Sequence, residues 1–130
     1  MNKQVNYYEE KLKYEIDSWD LKVALDNNEK VIALDARSIE AYDNSHIPSA
    51  INIPHKTMDK NTTSHLDKSI TYVTYCDGIG CNASTKGALK MTKLGFKVKE
   101  LMGGIEWWKF DGYATEGTKS IEGSLFQCAC

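Results

Sequence analysis

Residues 70–101 constrain this chain more than any other stretch. Ile70-Thr71-Tyr72-Val73-Thr74-Tyr75 is a short run of β-branched and aromatic residues, and Lys97-Val98-Lys99-Glu100-Leu101 reads as a second strand. Between them Ala88, Met91 and Leu94 recur on one side of a helix spanning about Asn82 to Leu94. Gly95 is its natural stop, because glycine takes the left-handed cap conformation at no steric cost. Strand, loop, helix, strand in that order is the unit of a right-handed parallel crossover, so the expected fold is an open parallel α/β sheet.

The rest of the chain fits such a sheet. Val31-Ile32-Ala33-Leu34-Asp35 is an apolar run of the kind buried on both faces. A helix is expected from Ser18 to Asp26, with Asp17 or Ser18 accepting its first free N–H groups. Ile39 to Tyr42 reads as one or two helical turns and Ile51-Asn52-Ile53 as a brief strand. Lys56 to Lys68 reads as a polar stretch with little core, and Gly103 to Phe110 as a turn and an amphipathic helix. With 130 residues the chain is long enough for one domain with its own core and no disulfide or metal staple. The expected division is an N-terminal extension over 1–17, a domain over 18–116, and a flexible tail over 117–130 that ends in Cys-Ala-Cys.

Charge narrows the function classes. Sixteen basic residues face 18 acidic ones for a net −2, and Arg37 is the sole arginine. Nucleic-acid binding needs a dense basic face, which this balance does not supply. No apolar run approaches the roughly 20 residues that cross a bilayer, so no membrane partner is expected. The polar, charged start from Met1 to Lys11 lacks the apolar stretch of a secretory signal, and a cytoplasmic location is the expectation. In a reducing compartment the 4 cysteines point to reactivity or metal binding before structural disulfides.

The chemical centre is Cys76-Asp77-Gly78-Ile79-Gly80-Cys81-Asn82, at the carboxyl end of one strand and just before a helix. Two glycines let the backbone curl so that successive N–H groups converge, and the helix adds its positive end. A thiol at the start of such a loop has its anionic form favoured, which makes Cys76 a reactive thiolate. The other reading of Cys76 is a small buried apolar residue ending a strand.

These residues resemble the single-domain rhodanese-like sulfurtransferases. Val31 to Arg37 resembles the family's strand ending in Asp-x-Arg, continued by Glu40 and Tyr42. Ser45-His46-Ile47-Pro48-Ser49-Ala50-Ile51-Asn52-Ile53-Pro54 is similar to a Gly-His-Ile-Pro-Gly-Ala-x-Asn-Ile-Pro block. Thr74-Tyr75-Cys76 opens the loop, and Leu94-Gly95-Phe96, Leu101-x-Gly103-Gly104-Ile105-x-x-Trp108 and Gly112-Tyr113 resemble the closing block. The resemblance implies about five parallel strands with helices on both faces. It also implies that Cys76 is catalytic, taking sulfane sulfur from a donor, carrying it as a persulfide and yielding it to a nucleophile. Asp35, Arg37 and His46 are then structural hydrogen-bonding residues. The implied partners are a small-molecule or protein persulfide donor and a thiol acceptor, with no cofactor and no metal.

Departures from the family pattern sharpen the reading. Many members carry Arg or Lys in or after the loop to hold thiosulfate, where this chain has Asp77, Cys81 and Asn82. A carboxylate at Asp77 repels a dianion unless Lys86 reaches back, so a glutathione-like or protein persulfide is as good a donor. A cysteine phosphatase is excluded, since it needs a loop arginine to grip phosphate bidentately. Cys81 has two readings, a resolving thiol that closes a disulfide with Cys76 or a small residue at the helix base. Cys128 and Cys130 are either a resolving or chelating pair or part of a disordered tail. Lys86, Trp107 and Trp108 are candidates for a substrate rim, with Trp107 and Trp108 read as core and pocket-rim aromatics because adjacent helical residues point to different sides. The Lys86/Lys90/Lys93/Lys97 stripe is a solvated face or a docking face for an acidic sulfur carrier. The rival function is a non-catalytic binding or redox-sensing module built on a Cys76/Cys81 dithiol.

Overall fold

The computed structural model describes residues 2–123. Five strands form one sheet in which every pairing is parallel: β1 (Glu15–Ile16), β2 (Val31–Asp35), β3 (Ile51–Asn52), β4 (Thr71–Tyr75) and β5 (Lys97–Leu101), in the spatial order β1-β5-β4-β2-β3. The helices are α1 (Lys3–Tyr14), α2 (Ser18–Asp26), α3 (Ile39–Asn44), α4 (Ala83–Lys93) and α5 (Gly104–Phe110), with a 3-10 turn at His55–Thr57.

Side-chain alternation on the central strands sorts the core into two layers. Ala33, Val73 and Tyr75 face Leu21 of α2 and Ile105 and Trp108 of α5. Leu34 and Tyr72 face Met91 of α4, together with Met58 and Phe96. Both faces are thus covered, as the resemblance implied, and the short apolar strands need that double burial to be stable. The capping expectation for α2 resolves in favour of Asp17, whose Oδ1 accepts from the Asp20 N–H at 2.8 Å. Gly95 sits at φ +91° just past α4.

Three segments differ from the sequence expectation. The division at Ser18 leaves β1 outside the domain, yet Glu15 and Ile16 pair with Glu100 and Leu101 at the sheet edge, and α1 precedes them. Lys56 to Lys68 contributes Met58 and partly buried Leu66 to the second core layer. The stretch from Gly117 is tied down through residue 121: the Thr118 and Lys119 N–H groups donate to the carbonyls of Asp43 and Asn44, and Ile121 exchanges hydrogen bonds with Thr115. Cys128 and Cys130 lie outside the described residues.

Between β2 and β4 the topology changes direction, β2 leading outward to β3 and β4 the other way to β5. In open α/β sheets the crevice beyond the carboxyl ends of two such strands is where ligands lie. Here those ends are Asp35-Ala36 and Tyr75-Cys76, joined by a hydrogen bond from the Ala36 N–H to the Tyr75 carbonyl at 3.0 Å.

Candidate active site

Cys76 follows β4 directly at this switch point and is 2% exposed, packed with Ala36 and Ala83. The loop then turns back: the Cys81 N–H donates to the Gly78 carbonyl at 3.1 Å, and Cys81 comes within disulfide distance of Cys76. The two are joined, with Cα atoms 6.2 Å apart. Of the two readings of Cys81, the structure thus shows it as the bonded partner of Cys76. Asn82 is the N-cap of α4 but makes no side-chain bond to it, so the first-turn N–H groups of that helix carry no side-chain cap beside the loop.

A second helix grips the loop from the other side. The Ile105 N–H donates to the Cys76 carbonyl at 3.0 Å, and the Glu106 N–H to the Asp77 carbonyl at 2.8 Å. This contact explains the Gly103-Gly104 pair. Gly104 has φ +63°, and a Cβ there would stand 2.5 Å from the Cys76 carbonyl oxygen and 2.8 Å from that of Asp77. Gly103, at φ +80°, is crowded by the Trp107 side chain. In the sequence this pair reads as a turn and as part of the rhodanese-like closing block, and two adjacent glycines before a helix are the local signal of a close backbone approach.

The lone arginine bridges the crevice. Arg37 donates from Nε to Asp35 Oδ1 at 2.9 Å and from Nη2 to Asp35 Oδ2 at 2.7 Å, a bidentate pair. It also donates from Nη2 to the Ser45 carbonyl and from Nη1 to Asp77 Oδ1 at 3.1 Å. Burial opposes the charge on Arg37, but the bonds to Asp35 and Asp77 outweigh it and hold the guanidinium protonated, well above its ordinary pKa. Its side chain is 8% exposed and four of its five N–H donors are committed, so it has no free pair of donors to grip a phosphate bidentately. Burial, followed by the nearby Asp35 carboxylate, pushes the Tyr75 hydroxyl pKa well up, and that neutral hydroxyl accepts from the Ile47 N–H at 3.1 Å. His46 stacks on Tyr42 at 3.9 Å, with its Nδ1 2.8 Å from the Tyr42 carbonyl oxygen.

The expected rim is only partly realised. Trp108 is not at a rim: it is wholly buried in the first core layer, and its Nε1 donates to the Ala114 carbonyl at 2.9 Å. Adjacent helical residues point apart, so Trp107 is the exposed one, edge-on to Phe110 with ring centroids 4.9 Å apart. Ile79, at the loop tip, is 78% exposed. Lys86 is exposed and close enough to His55 to contribute, after burial, to lowering that imidazole's pKa, together with Lys90 and Lys56. Lys90 donates to the His55 carbonyl, while Lys93 flanks Leu66 and Phe96 in another hollow, so the lysine stripe is divided among different neighbours. Glu106, absent from the sequence reading, overhangs the loop: a Cβ on Gly78 would stand 2.7 Å from its Oε2. A groove of about 690 Å³ between α4, β5 and the end of α1 contains none of the loop residues.

A parallel α/β sheet with its cysteine loop at the switch point defines the class. Residues 19–111 match the family model described as Rhodanese-like domain, and the chain belongs to that family. It is similar to the BH2092 protein of Bacillus halodurans, whose crystal structure is 42% identical, covers 98% of this chain and 94% of its own, and has a TM-score of 0.88. An uncharacterized protein of Buchnera aphidicola is 34% identical over 102 residues, 76% of this chain and 67% of its own length. The putative sulfur carrier protein YrkF of Bacillus subtilis is 30% identical over 95 residues, 72% of this chain but only 50% of the relative.

Proposed function

We propose that this protein is a sulfurtransferase that carries sulfane sulfur as a persulfide on Cys76 and passes it to a thiol or another nucleophile. The observation that carries the reading is the position of Cys76, which follows β4 at the topological switch and precedes a helix N-terminus without a side-chain cap. Membership of the rhodanese-like family and the likeness to a putative sulfur carrier protein support it. In the forward half-reaction the Cys76 thiolate attacks the outer sulfur of R–S–SH, forming Cys76–S–SH and releasing RS⁻. No acid is needed to protonate that leaving group at neutral pH when its thiol is acidic enough to leave as the thiolate. Glu106 over the loop adds negative charge to a mouth that already holds Asp77, which favours a persulfide over dianionic thiosulfate.

The test is thiocyanate formation with cyanide as acceptor, using thiosulfate and glutathione persulfide as alternative donors. Turnover with at least one donor, abolished in Cys76→Ser, is the expected result. The absence of thiocyanate with both donors overturns it. A second reading has an observation of its own: the Cys76–Cys81 bond is what a redox-sensing dithiol would form on oxidation. Loss of two hydrogens on mild oxidation without any sulfur transfer is its signature.

A further inference from the structure

We infer that Cys81 is an internal acceptor that discharges the Cys76 persulfide, so that the protein also releases its cargo as hydrosulfide and parks itself as the disulfide. The inference rests on the persulfide reading of Cys76 and adds a product to it. Two observations carry it. The loop places the two sulfurs in bonding contact with helix α4 and the grip of α5 on the Cys76 carbonyl both in place, so the disulfide is compatible with the folded site. The two cysteines also differ in access: Cys76 is 2% exposed and Cys81 is half-buried, nearer the surface.

The chemistry balances without an added oxidant. The Cys81 thiolate attacks the Sγ of Cys76, a new S–S bond forms, and the bond from Cys76 Sγ to the outer sulfur breaks. The outer sulfur leaves with the bonding pair as HS⁻; two protein thiol groups have been oxidised to a disulfide and one sulfane sulfur reduced to sulfide. Displacement at sulfur runs in line, so the outer sulfur leaves on the side of Cys76 opposite Cys81. Resetting requires a reductant of the thiol class, either two small thiols or one dithiol protein. Its first attack falls on the more accessible sulfur, that of Cys81, which frees Cys76 as the leaving thiolate. Over a full cycle one persulfide and two thiols give one thiol, one sulfide and one disulfide.

This arrangement predicts which reaction class consumes the product: one that uses free sulfide rather than a bound persulfide. It also makes the outcome at Cys76 a competition. An external nucleophile that reaches the outer sulfur first accepts sulfane sulfur, while otherwise Cys81 closes the loop and sulfide leaves.

The experiment uses the full chain, reduced and freed of reductant, with one equivalent of glutathione persulfide. Sulfide is trapped with a bimane, and the intact protein is weighed without reduction. For wild type the expected result is about one sulfide per chain and a mass ~2 Da below the reduced form, with the new disulfide mapped by digestion to Cys76 and Cys81. Cys81→Ser, and independently Cys81→Ala in case one fails to fold, should hold a gain of ~32 Da and release sulfide only when thiol is added. A wild-type chain that accumulates the same +32 Da species and frees no sulfide overturns the inference and leaves the carrier reading standing. A disulfide mapped to Cys128 or Cys130 also overturns it. Failure of both wild type and the Cys81 variants to take up sulfur overturns the carrier reading itself.

Discussion

Gly104→Ala is the perturbation most directly tied to the geometry of the loop. Alanine at φ +63° costs about 1 kcal/mol in backbone energy before any contact is counted. Its Cβ would then stand 2.5 and 2.8 Å from two carbonyl oxygens, both backbone, so no side chain can rotate out of the way. Relief requires α5 to move off the loop, which weakens the hydrogen bonds from Ile105 and Glu106 to Cys76 and Asp77. Each of these contributes about 1 kcal/mol net. The sum is a loss of about 3 kcal/mol, a large part of the roughly 5–15 kcal/mol typical of a domain but short of abolishing the fold.

Urea unfolding followed by tryptophan fluorescence measures this directly, with an expected midpoint shift of about 1.5 M at a slope of about 2 kcal/mol/M. Gly80→Ala, in the loop that α5 grips, is the control, since a Cβ there meets nothing within 4 Å and its φ lies outside the positive region. It should change stability by less than about 0.5 kcal/mol, or raise it slightly by restricting the unfolded chain. A Gly104→Ala protein within about 0.5 kcal/mol of wild type, or a Gly80→Ala loss of equal size, would refute the claim that α5 is docked on the loop through this glycine.

Arg37→Met strands the fully buried Asp35 without a cation and should cost about 3–5 kcal/mol by thermal or chemical unfolding, with Asp35→Asn/Arg37→Met more stable than Arg37→Met alone. Glu106→Gln removes a carboxylate beside the loop and should raise kcat/KM for thiosulfate roughly fivefold, equivalent to about 1 kcal/mol against a dianion, with less effect on a glutathione persulfide. An equal change for both donors would argue against an electrostatic filter. His55 is held below its ordinary 6.5 by burial first and by Lys86, Lys90 and Lys56 after that. The folded state therefore binds its proton more weakly than the unfolded chain does, so His55 contributes stability above pH 6.5 that is lost as pH falls through the folded pKa. Proton NMR of His55 should show a pKa below 6.5 that rises in Lys86→Met, and a value at or above 6.5 in wild type would contradict it.

What the sequence disclosed follows from the range of the interactions involved. The crossover from Thr71 to Leu101 was legible because apolar spacing, a glycine stop and strand composition are local signals that agree with one another. The edge strand β1 was not: Glu15–Ile16 is too short to show alternation, and only pairing with β5 makes it a strand. Trp107 and Trp108 were separable in principle by helical geometry, but which of them faces the core depends on where α5 lies over Tyr75 and Leu101. In the site, Cys76 could be singled out from its loop alone. Its surroundings could not, because Arg37 reaches Asp77 across 40 positions and Glu106 arrives over Gly78 from a helix that follows the last strand.

These long-range contacts bear on which donor the loop can accept. Arg37 is the sole arginine of the chain, and Asp35, Asp77 and the Ser45 carbonyl occupy four of its five N–H donors. Its single positive charge is shared between buried Asp35 and exposed Asp77, and the bond to Asp77 fixes the loop to the end of β2. Glu106 has no ion-pair partner among the described residues, so the mouth keeps a negative charge. What remains to stabilise an anion at Cys76 is the backbone of the loop and the first turn of α4. Dipoles of that kind offset about half an elementary charge, enough to favour a persulfide anion and not enough to draw a dianion past a carboxylate. For the sulfur transfer proposed at Cys76, the contacts of one arginine and one glutamate therefore favour a monoanionic or neutral donor over a dianion.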